Sequence, residues 1–246
     1  MKKYLLLSLA AVLMLTTACV DIRLGKGGKK LKASENIVRN EYKMEPFTKL
    51  ELDVVAKVKF VQGEADDYRV VLQAPDNYVD LFEMKVDDGK LKIVFGKHNL
   101  SIESKNVGMM IYAPTLQELD LEGVAEVRID SLTTETLKVD NDGVGNLKLK
   151  GLNVQQLDVE SDGVGNITLS GTADRVKLVC SGVGNINAEE LKAASVNAEL
   201  SGVGNVSCYA SERLKGDVNG IGSLRYGGQP KEKQLQRDGV GKITEL

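Results

Sequence analysis

The chain of 246 residues has one histidine, no tryptophan, four prolines and only 4% aromatic residues. A catalytic triad based on histidine, or a metal site with several histidine ligands, would have to use His98 alone, so both are excluded within one chain. The few aromatic residues supply no evident platform for stacking sugar rings. Abundant valine, leucine and glycine instead favour a thin, regular core.

Beyond the N-terminal region, acidic residues outnumber basic ones. From residue 34 onward the chain has 25 basic and 34 acidic residues, although the formal net charge of the whole chain is only −3. Phosphate backbones bind surfaces of the opposite sign. The composition therefore predicts that nucleic acid is not a partner.

Residues 1–18 have the organisation of a secretory signal peptide. Lys2 and Lys3 precede an apolar run, Tyr4–Leu15, which is too short for a stable membrane span. Small residues and then Cys19 follow, an order that resembles a bacterial lipoprotein signal. Cys19 is therefore the predicted lipidation site, and several acyl chains would anchor the protein stably to a membrane. The alternative is an ordinary signal peptide followed by an unrelated cysteine.

Residues 19–33 are predicted to be a basic, flexible tether behind the lipidated cysteine. Three glycines make this stretch flexible, and its lysines either lie against anionic headgroups or contact nothing. The membrane is thus an expected partner through the lipid anchor, with an exported location in the cell envelope, most simply the outer membrane.

Residues 34–116 are predicted to form a small β unit that caps the rest of the chain. Apolar and polar residues alternate around Leu50, Phe60 and Ile93, which is typical of half-buried strands. Asp87–Lys90 lies between two such runs and predicts a hairpin turn. The stretch 76–83 is the one place where a turn of helix is expected.

Residues 117–246 contain a short glycine motif that returns at a nearly constant interval, and such regularity indicates a stacked repeat. The motif is Gly-Val-Gly-Asn in four consecutive copies, and degenerate copies begin at Gly123, Gly220 and Gly239. The glycines and asparagines of the four full copies are Gly143, Gly145, Asn146, Gly163, Gly165, Asn166, Gly182, Gly184, Asn185, Gly202, Gly204 and Asn205.

The period of the motif predicts an all-β fold, a single-chain parallel β-solenoid with coils of about 19–20 residues. Leu157, Val159 and Ser161 alternate with polar residues before the motif, and Ile167 and Leu169 do so after it. Two short strands per coil follow from this pattern. One glycine corner per coil and a variable coil length favour a right-handed or irregular solenoid over a left-handed hexapeptide helix.

The motif itself is predicted to be a structural corner. Glycines would supply positive φ, the valines would point inward as an aliphatic column, and the asparagines would form a hydrogen-bonded ladder. A phosphate-binding loop is not expected, because no helix follows the glycines. Cys180 and Cys208 are assigned to different inward columns and are predicted to be buried, reduced thiols.

The candidate functional face consists of outward carboxylates just before each corner. Stacked carboxylates repel one another unless cations or lysines such as Lys138 and Lys148 neutralise them. No cofactor is expected, but a weak surface calcium site on this face is one hypothesis; a solvated acidic face is the other. The carboxylates are Asp120, Glu122, Asp140, Asp142, Glu160 and Asp162.

The whole pattern from about residue 36 onward resembles a bacterial family, the auto-transporter adhesin, head GIN domain family, which is frequent in Bacteroidetes. The resemblance implies an exported, often lipid-anchored β-helix, and it supplies no catalytic residues. It rests on Gly-Val repeats preceded by Phe47-x-x-Leu50-x-Leu52, Val61-Gln62-Gly63, Ala74-Pro75-Asp76-Asn77, Gly89-x-Leu91 and Ala113-Pro114-x-Leu116.

These observations predict a non-catalytic, adhesin-like envelope lipoprotein that presents a binding surface to a glycan or protein. One alternative is a periplasm-facing envelope scaffold or stress protein, since Val20, Asp21 and Ile22 lack a strong acidic run of the kind that resembles surface-export signals. The other is a carbohydrate-active β-helix enzyme that uses paired surface carboxylates.

Overall fold

The computed structural model describes residues 29–96, 100–102 and 106–246. The predicted signal peptide, Cys19 and His98 lie outside the described residues. Within the described residues, no helix is long and apolar enough to cross a membrane.

The residues before the glycine repeats form short strands and a short 3-10 helix. The helix spans Asp76–Leu81, inside the stretch where the sequence predicted helical structure. The strands are β1 (Lys29–Lys30), β2 (Ile37–Lys43), β3 (Lys49–Asp53), β4 (Val55–Gln62), β5 (Arg69–Pro75), β6 (Phe82–Asp87), β7 (Lys90–Phe95), β8 (Leu100–Ser101) and β9 (Gly108–Ala113).

The repeats form a β-solenoid of about six turns, which confirms the predicted fold class. Each strand lies parallel to the strand one coil away, with a constant register through the glycine corner and a shift at the bend that follows it. Its strands are β10 (Glu118–Leu121), β11 (Val124–Ile129), β12 (Leu132–Asn141), β13 (Val144–Ser161), β14 (Val164–Cys180), β15 (Val183–Leu200), β16 (Val203–Val218), β17 (Ile221–Gly227), β18 (Glu232–Arg237) and β19 (Val240–Glu245).

The parallel stack extends upstream of residue 117, where the sequence placed the start of the solenoid. Strand β3 is parallel to β10 and β4 is parallel to β11. Strands β7 and β9 add a further parallel layer on the other side of β3 and β4. The predicted division between 116 and 117 therefore falls inside a continuous stack.

Antiparallel strands cover the N-terminal end of this stack. Strand β5 pairs with β9, β6 pairs with β7, and β2 pairs with β5. The β6–β7 connection is the predicted hairpin turn, with positive φ at Asp88 and Gly89. Pairing β7 and β9 in this way protects backbone groups that an open solenoid end would expose.

Each coil has a third inward segment that the sequence analysis missed. Instead of two short strands, β13 is a continuous strand of 18 residues. Beyond Leu149 the inward positions resume at Leu152 and Val154. The alternation skips a residue there because Gly151 has φ +56° and the pairing register shifts between Leu149 and Leu152.

The core is a set of columns in which one inward residue lies above another. Burying such a side chain stabilises the fold by about 1.5–3 kcal/mol relative to exposing it. One fully buried column runs from the N-terminal strands through the repeats and consists of Leu50, Leu119, Val139, Val159, Leu178 and Ala198.

Close backbone contact explains the corner glycines more fully than positive φ alone. The second glycine of the motif has positive φ, from +146° to +155°, at Gly165, Gly184, Gly204 and Gly222, but not at Gly145. The first glycine has no positive φ, but a Cβ there would overlap the carbonyl oxygen of the corner one coil earlier. At both positions, adjacent coils approach too closely for any side chain.

The two remaining cysteines are free and buried, as predicted. Cys180 lies in one column with Ser161 and Leu200, and Cys208 lies in another above Ala188. Burial raises the pKa of the Cys208 thiol to about 12, and burial followed by the charge of Asp162 also raises the pKa of Cys180.

Candidate functional site

The valines of the repeat point outward, so the predicted inward column is wrong. They form an exposed aliphatic column on the corner, in which Val183 is 53% and Val240 is 74% exposed. Val144 is only partly exposed. The residues in register are Val144, Val164, Val183, Val203, Ile221 and Val240.

Strand alternation continues through the corner without interruption, which explains the error. Counting back from the inward Leu147 places Gly145 and Gly143 inward and Val144 outward. Because both inward positions are glycines, the backbones close together there and leave no room for a valine. The alternation on either side of the motif was the sequence signal that could have identified this exposed column.

The asparagines form the predicted ladder beside the valine column. The Nδ2 of Asn166 donates to Oδ1 of Asn146 at 3.1 Å, and that of Asn185 donates to Asn166 at 2.7 Å. The Nδ2 of Asn205 donates to Oδ1 of Asn185 at 2.9 Å. We call the exposed surface formed by the valine column and the asparagine ladder the corner face.

The ladder leaves one row of hydrogen-bond donors unused. An amide nitrogen carries two hydrogens, and each ladder contact uses one of them. The other hydrogen of Asn166, Asn185 and Asn205 has no protein acceptor among the described residues. The corner face therefore combines an aliphatic column with a parallel row of N–H donors, both repeating at a coil spacing of about 4.8 Å.

The six predicted carboxylates do come together, on the surface just before the corners. They line one shallow depression of about 320 Å³, together with Leu121 and Lys138. One column continues back to Glu51, which lies next to Asp120 in the parallel register. Outward alternation in strands with matched register was sufficient to predict this cluster.

Lysines neutralise one of the two carboxylate columns. Lys90 binds Asp120 at 2.6 Å and also Glu118 at 2.7 Å. Lys138 binds Asp140 at 2.6 Å, as the sequence suggested. Sequence reasoning missed Lys90 and Lys177, the other two lysines of this column, because each comes from a different coil than the carboxylate it pairs with.

Lys177 binds Glu160 at 2.5 Å. Lys148, the other predicted neighbour of the carboxylates, instead binds Glu126 at 3.1 Å, outside the depression. The charge repulsion expected along this column is thus offset largely within the protein.

The pKa values of the carboxylates differ according to their surroundings. Burial raises the pKa of Asp120, against the opposing effect of the Lys90 hydrogen bond. Burial, and then the charge of Glu51, raises the pKa of Glu122. Hydrogen bonding from Lys177 lowers the pKa of Glu160. Within the one depression, burial therefore raises the pKa of two carboxylates, Asp120 and Glu122, while a lysine hydrogen bond lowers that of Glu160.

Among residues 29–96, 100–102 and 106–246, no three His, Cys, Asp or Glu side chains are arranged to hold a metal ion. The calcium hypothesis thus gains no support from these side chains, since Ca²⁺ takes six to eight oxygen ligands.

Comparison with known proteins identifies relatives of the whole fold. The family described as "Putative auto-transporter adhesin, head GIN domain" matches residues 46–230. A crystal structure of a putative adhesin from Bacteroides fragilis NCTC 9343 is 34% identical, with a TM-score of 0.85 over 88% of this chain and 100% of that chain. No curated protein matches.

Two more distant structures share the fold alone. A putative lipid binding protein from Parabacteroides distasonis ATCC 8503 is 20% identical, with a TM-score of 0.69 over 89% of this chain and 100% of that one. A putative adhesin from Parabacteroides merdae ATCC 43184 is 17% identical, with a TM-score of 0.63 over 88% of this chain and 99% of that one. Together with the glycine corners, the family match and the 34% identical relative establish that this chain belongs to the auto-transporter adhesin, head GIN domain family.

Proposed function

We propose that this protein is a non-catalytic, adhesin-like lipoprotein of the cell envelope, attached to the outer membrane through Cys19, and that its corner face binds an extended glycan. The family supports the adhesin-like part of the proposal. The lipid anchor rests on the signal-like sequence before Cys19. The observation that carries the binding role is the exposed column of Val164, Val183 and Val203 beside the asparagine ladder.

A repeating polymer suits a repeating surface. Aliphatic side chains can pack against the apolar C–H faces of sugar rings, while the unused amide hydrogens can donate to hydroxyl oxygens. Stacked coils hold these groups in fixed rows, so little side-chain freedom remains to be lost on binding. The lysine pairing of Asp120, Asp140 and Glu160 supports a binding role over a catalytic one, because those carboxylates are already engaged.

The proposal is tested by measuring the binding of full-length protein, purified in detergent, to immobilised dextran and mannan. A double variant, Val164→Lys with Val183→Lys, should weaken binding by at least about tenfold, because an ammonium group would have to lose its water at the contact. Gln155→Lys is the matched control, because Gln155 is exposed on another side of the coil. Equal binding by the double variant and the native protein would refute a role for the corner face.

The location is tested separately on intact cells. Cys19→Ala should release the protein from membranes, and continued membrane association would contradict the lipid anchor. External protease should cleave the native protein on intact cells if it faces outward. Complete protection would favour the periplasm-facing scaffold.

A further inference from the structure

A second surface, near the N-terminal end of the stack, differs from the rest of this acidic protein. A groove of about 530 Å³ lies across the outer side of strands β2, β5, β9, β4 and β11. Its volume falls in the range of small-molecule pockets, roughly 300–1,000 Å³. Four basic side chains line it: Arg39, Lys57, Lys59 and Arg128.

The groove is open because one strand position lacks a side chain. Gly108 lies between Gln73 and Lys57 in a row that crosses the sheet. A Cβ at Gly108 would meet only the carbonyl oxygen of Lys57, at 3.9 Å, and Gly108 has no positive φ. Unlike the corner glycines, Gly108 is not required by packing or backbone geometry, and its lack of a side chain leaves space at the base of the groove.

The groove has an apolar base. Val71 alternates with the core residues Val70 and Leu72 and therefore faces the outer side of the sheet. It is nevertheless only 3% exposed and does not belong to the main core cluster. Met110, its neighbour on β9, also lines the groove. An outward valine that is nearly buried marks a real concavity rather than a flat strand surface.

Two of the four basic groups have no partner among the residues that the structure describes. Lys59 and Arg128 both bind Asp130, at 2.8 and 2.5 Å. The side chains of Arg39 and Lys57 make no hydrogen bond or ion pair with any residue in the part of the chain that the structure describes. Arg39 and Lys57 lie on either side of Gly108 in the row that crosses the sheet. Glu126, the next residue of the row beyond Lys57, also lines the groove, but its carboxylate is paired with Lys148. The groove therefore carries unpaired positive charge on both sides of Gly108.

We propose that this groove binds a uronic acid unit of an acidic glycan, with the sugar ring over Val71 and Met110 and the carboxylate held by Arg39 and Lys57. Guanidinium and ammonium groups form strong, charge-assisted hydrogen bonds to carboxylates. The amides of Gln73 and Asn106 also line the groove and can bond to sugar hydroxyls.

The groove is continuous with the corner face. The row that contains Gly108 and Lys57 runs on through Glu126 to Asn146, the first member of the asparagine ladder. A glycan chain lying along the ladder would therefore reach the groove with its next units. Because of this continuity, the inference rests on the proposed function, which places a glycan on the corner face. It further specifies that this glycan contains an acidic sugar.

The test is calorimetric titration of full-length protein in detergent with trigalacturonic acid and with galactotriose, its neutral counterpart. We expect trigalacturonic acid to bind at least about tenfold more tightly than galactotriose, with an affinity that falls as salt is added. Arg39→Gln with Lys57→Gln should weaken this binding at least about tenfold. Lys215→Gln, at an exposed position on β16, is the matched control and should change nothing.

A steric variant tests the groove without altering its charge. Gly108→Val should abolish trigalacturonic acid binding and leave the unfolding midpoint unchanged or higher, because valine suits a strand and the site has room for its Cβ. Native-like binding by Gly108→Val, or by the Arg39/Lys57 variant, would overturn the proposal. Equal binding of galactotriose would overturn it as well.

Two further measurements separate the alternatives. Binding to phosphatidylglycerol vesicles without binding to trigalacturonic acid would replace the acidic glycan by an anionic lipid surface, and so overturn the proposal. The variant with lysine at positions 164 and 183 should still bind trigalacturonic acid in the groove, although it no longer binds dextran and mannan. If the trisaccharide fails to bind but the neutral polysaccharides still bind the corner face, the proposed function stands and the groove inference falls.

Discussion

The corner of each coil and the bend opposite it differ in how constant the pairing register between coils is. From Val144 to Leu149, β13 pairs with β14 residue by residue without a shift. At the far bend, which begins after Leu149, Thr168 and Ala188, the register shifts in successive coils. Small differences in repeat length are thus absorbed at the bend, while the corner keeps the coils aligned.

An inserted residue should distinguish the two sides most strongly. One alanine between Val183 and Gly184 would exchange inward and outward side chains along the following segment, so we expect loss of the folded state. The same insertion between Glu189 and Glu190 falls where the register already shifts, and it should lower the free energy of unfolding by about 1 kcal/mol or less. Far-ultraviolet circular dichroism and urea unfolding measure both effects. Similar losses at the two sites would show that the corner has no special role in alignment.

Substituting a corner glycine should have the next largest effect. In Gly184→Ala the new Cβ would overlap the carbonyl oxygen of Gly165, and φ is +155°. We expect the free energy of unfolding to fall by more than about 4 kcal/mol, beyond the ordinary range for one substitution. Gly108→Ala, where the Cβ has room, is the control and should change stability by about 0.5 kcal/mol at most. A mild effect at Gly184 would mean that the coils can separate at the corner.

An inward residue near the end of β14 and an outward residue at the start of β15 provide a smaller contrast. Leu178 is fully buried, so Leu178→Ala should cost about 2–5 kcal/mol of unfolding free energy. Val183 lies five positions further along and is 53% exposed. Val183→Ala should therefore cost no more than about 0.5 kcal/mol. A cost at Val183 as large as that at Leu178, measured by the same urea titration, would return the valines to the core, where the sequence had placed them.

Sequence reasoning predicted the coil, the glycine corners, the asparagine ladder and the acidic cluster because each depends on local alternation and a fixed period. It placed Val183 on the wrong side by assuming that the corner interrupts the alternation. It missed Lys177 as a partner of Glu160. The groove around Gly108 depends on pairing among strands far apart in sequence, and no periodic signal marks it.

The smallest predicted difference lies within the asparagine ladder, on the strictly repeating side of the coil. Asn185 donates to Asn166, and its Oδ1 accepts from both the backbone nitrogen and Nδ2 of Asn205. Asn205 has ladder contacts on one side only. Exposed hydrogen bonds contribute little individually, so Asn185→Ala should lower the free energy of unfolding by about 1–2 kcal/mol and Asn205→Ala by less.

The ordering of the two losses is the informative result, because both side chains are exposed and neither fills the core. Urea unfolding of the two variants and their double mutant would measure the coupling between neighbouring ladder positions. Equal losses at Asn185 and Asn205, with no coupling, would mean that each asparagine acts alone. The regularity of the corner face would then rest on the glycine contacts beneath it, and the ladder would serve only to orient donors toward a ligand.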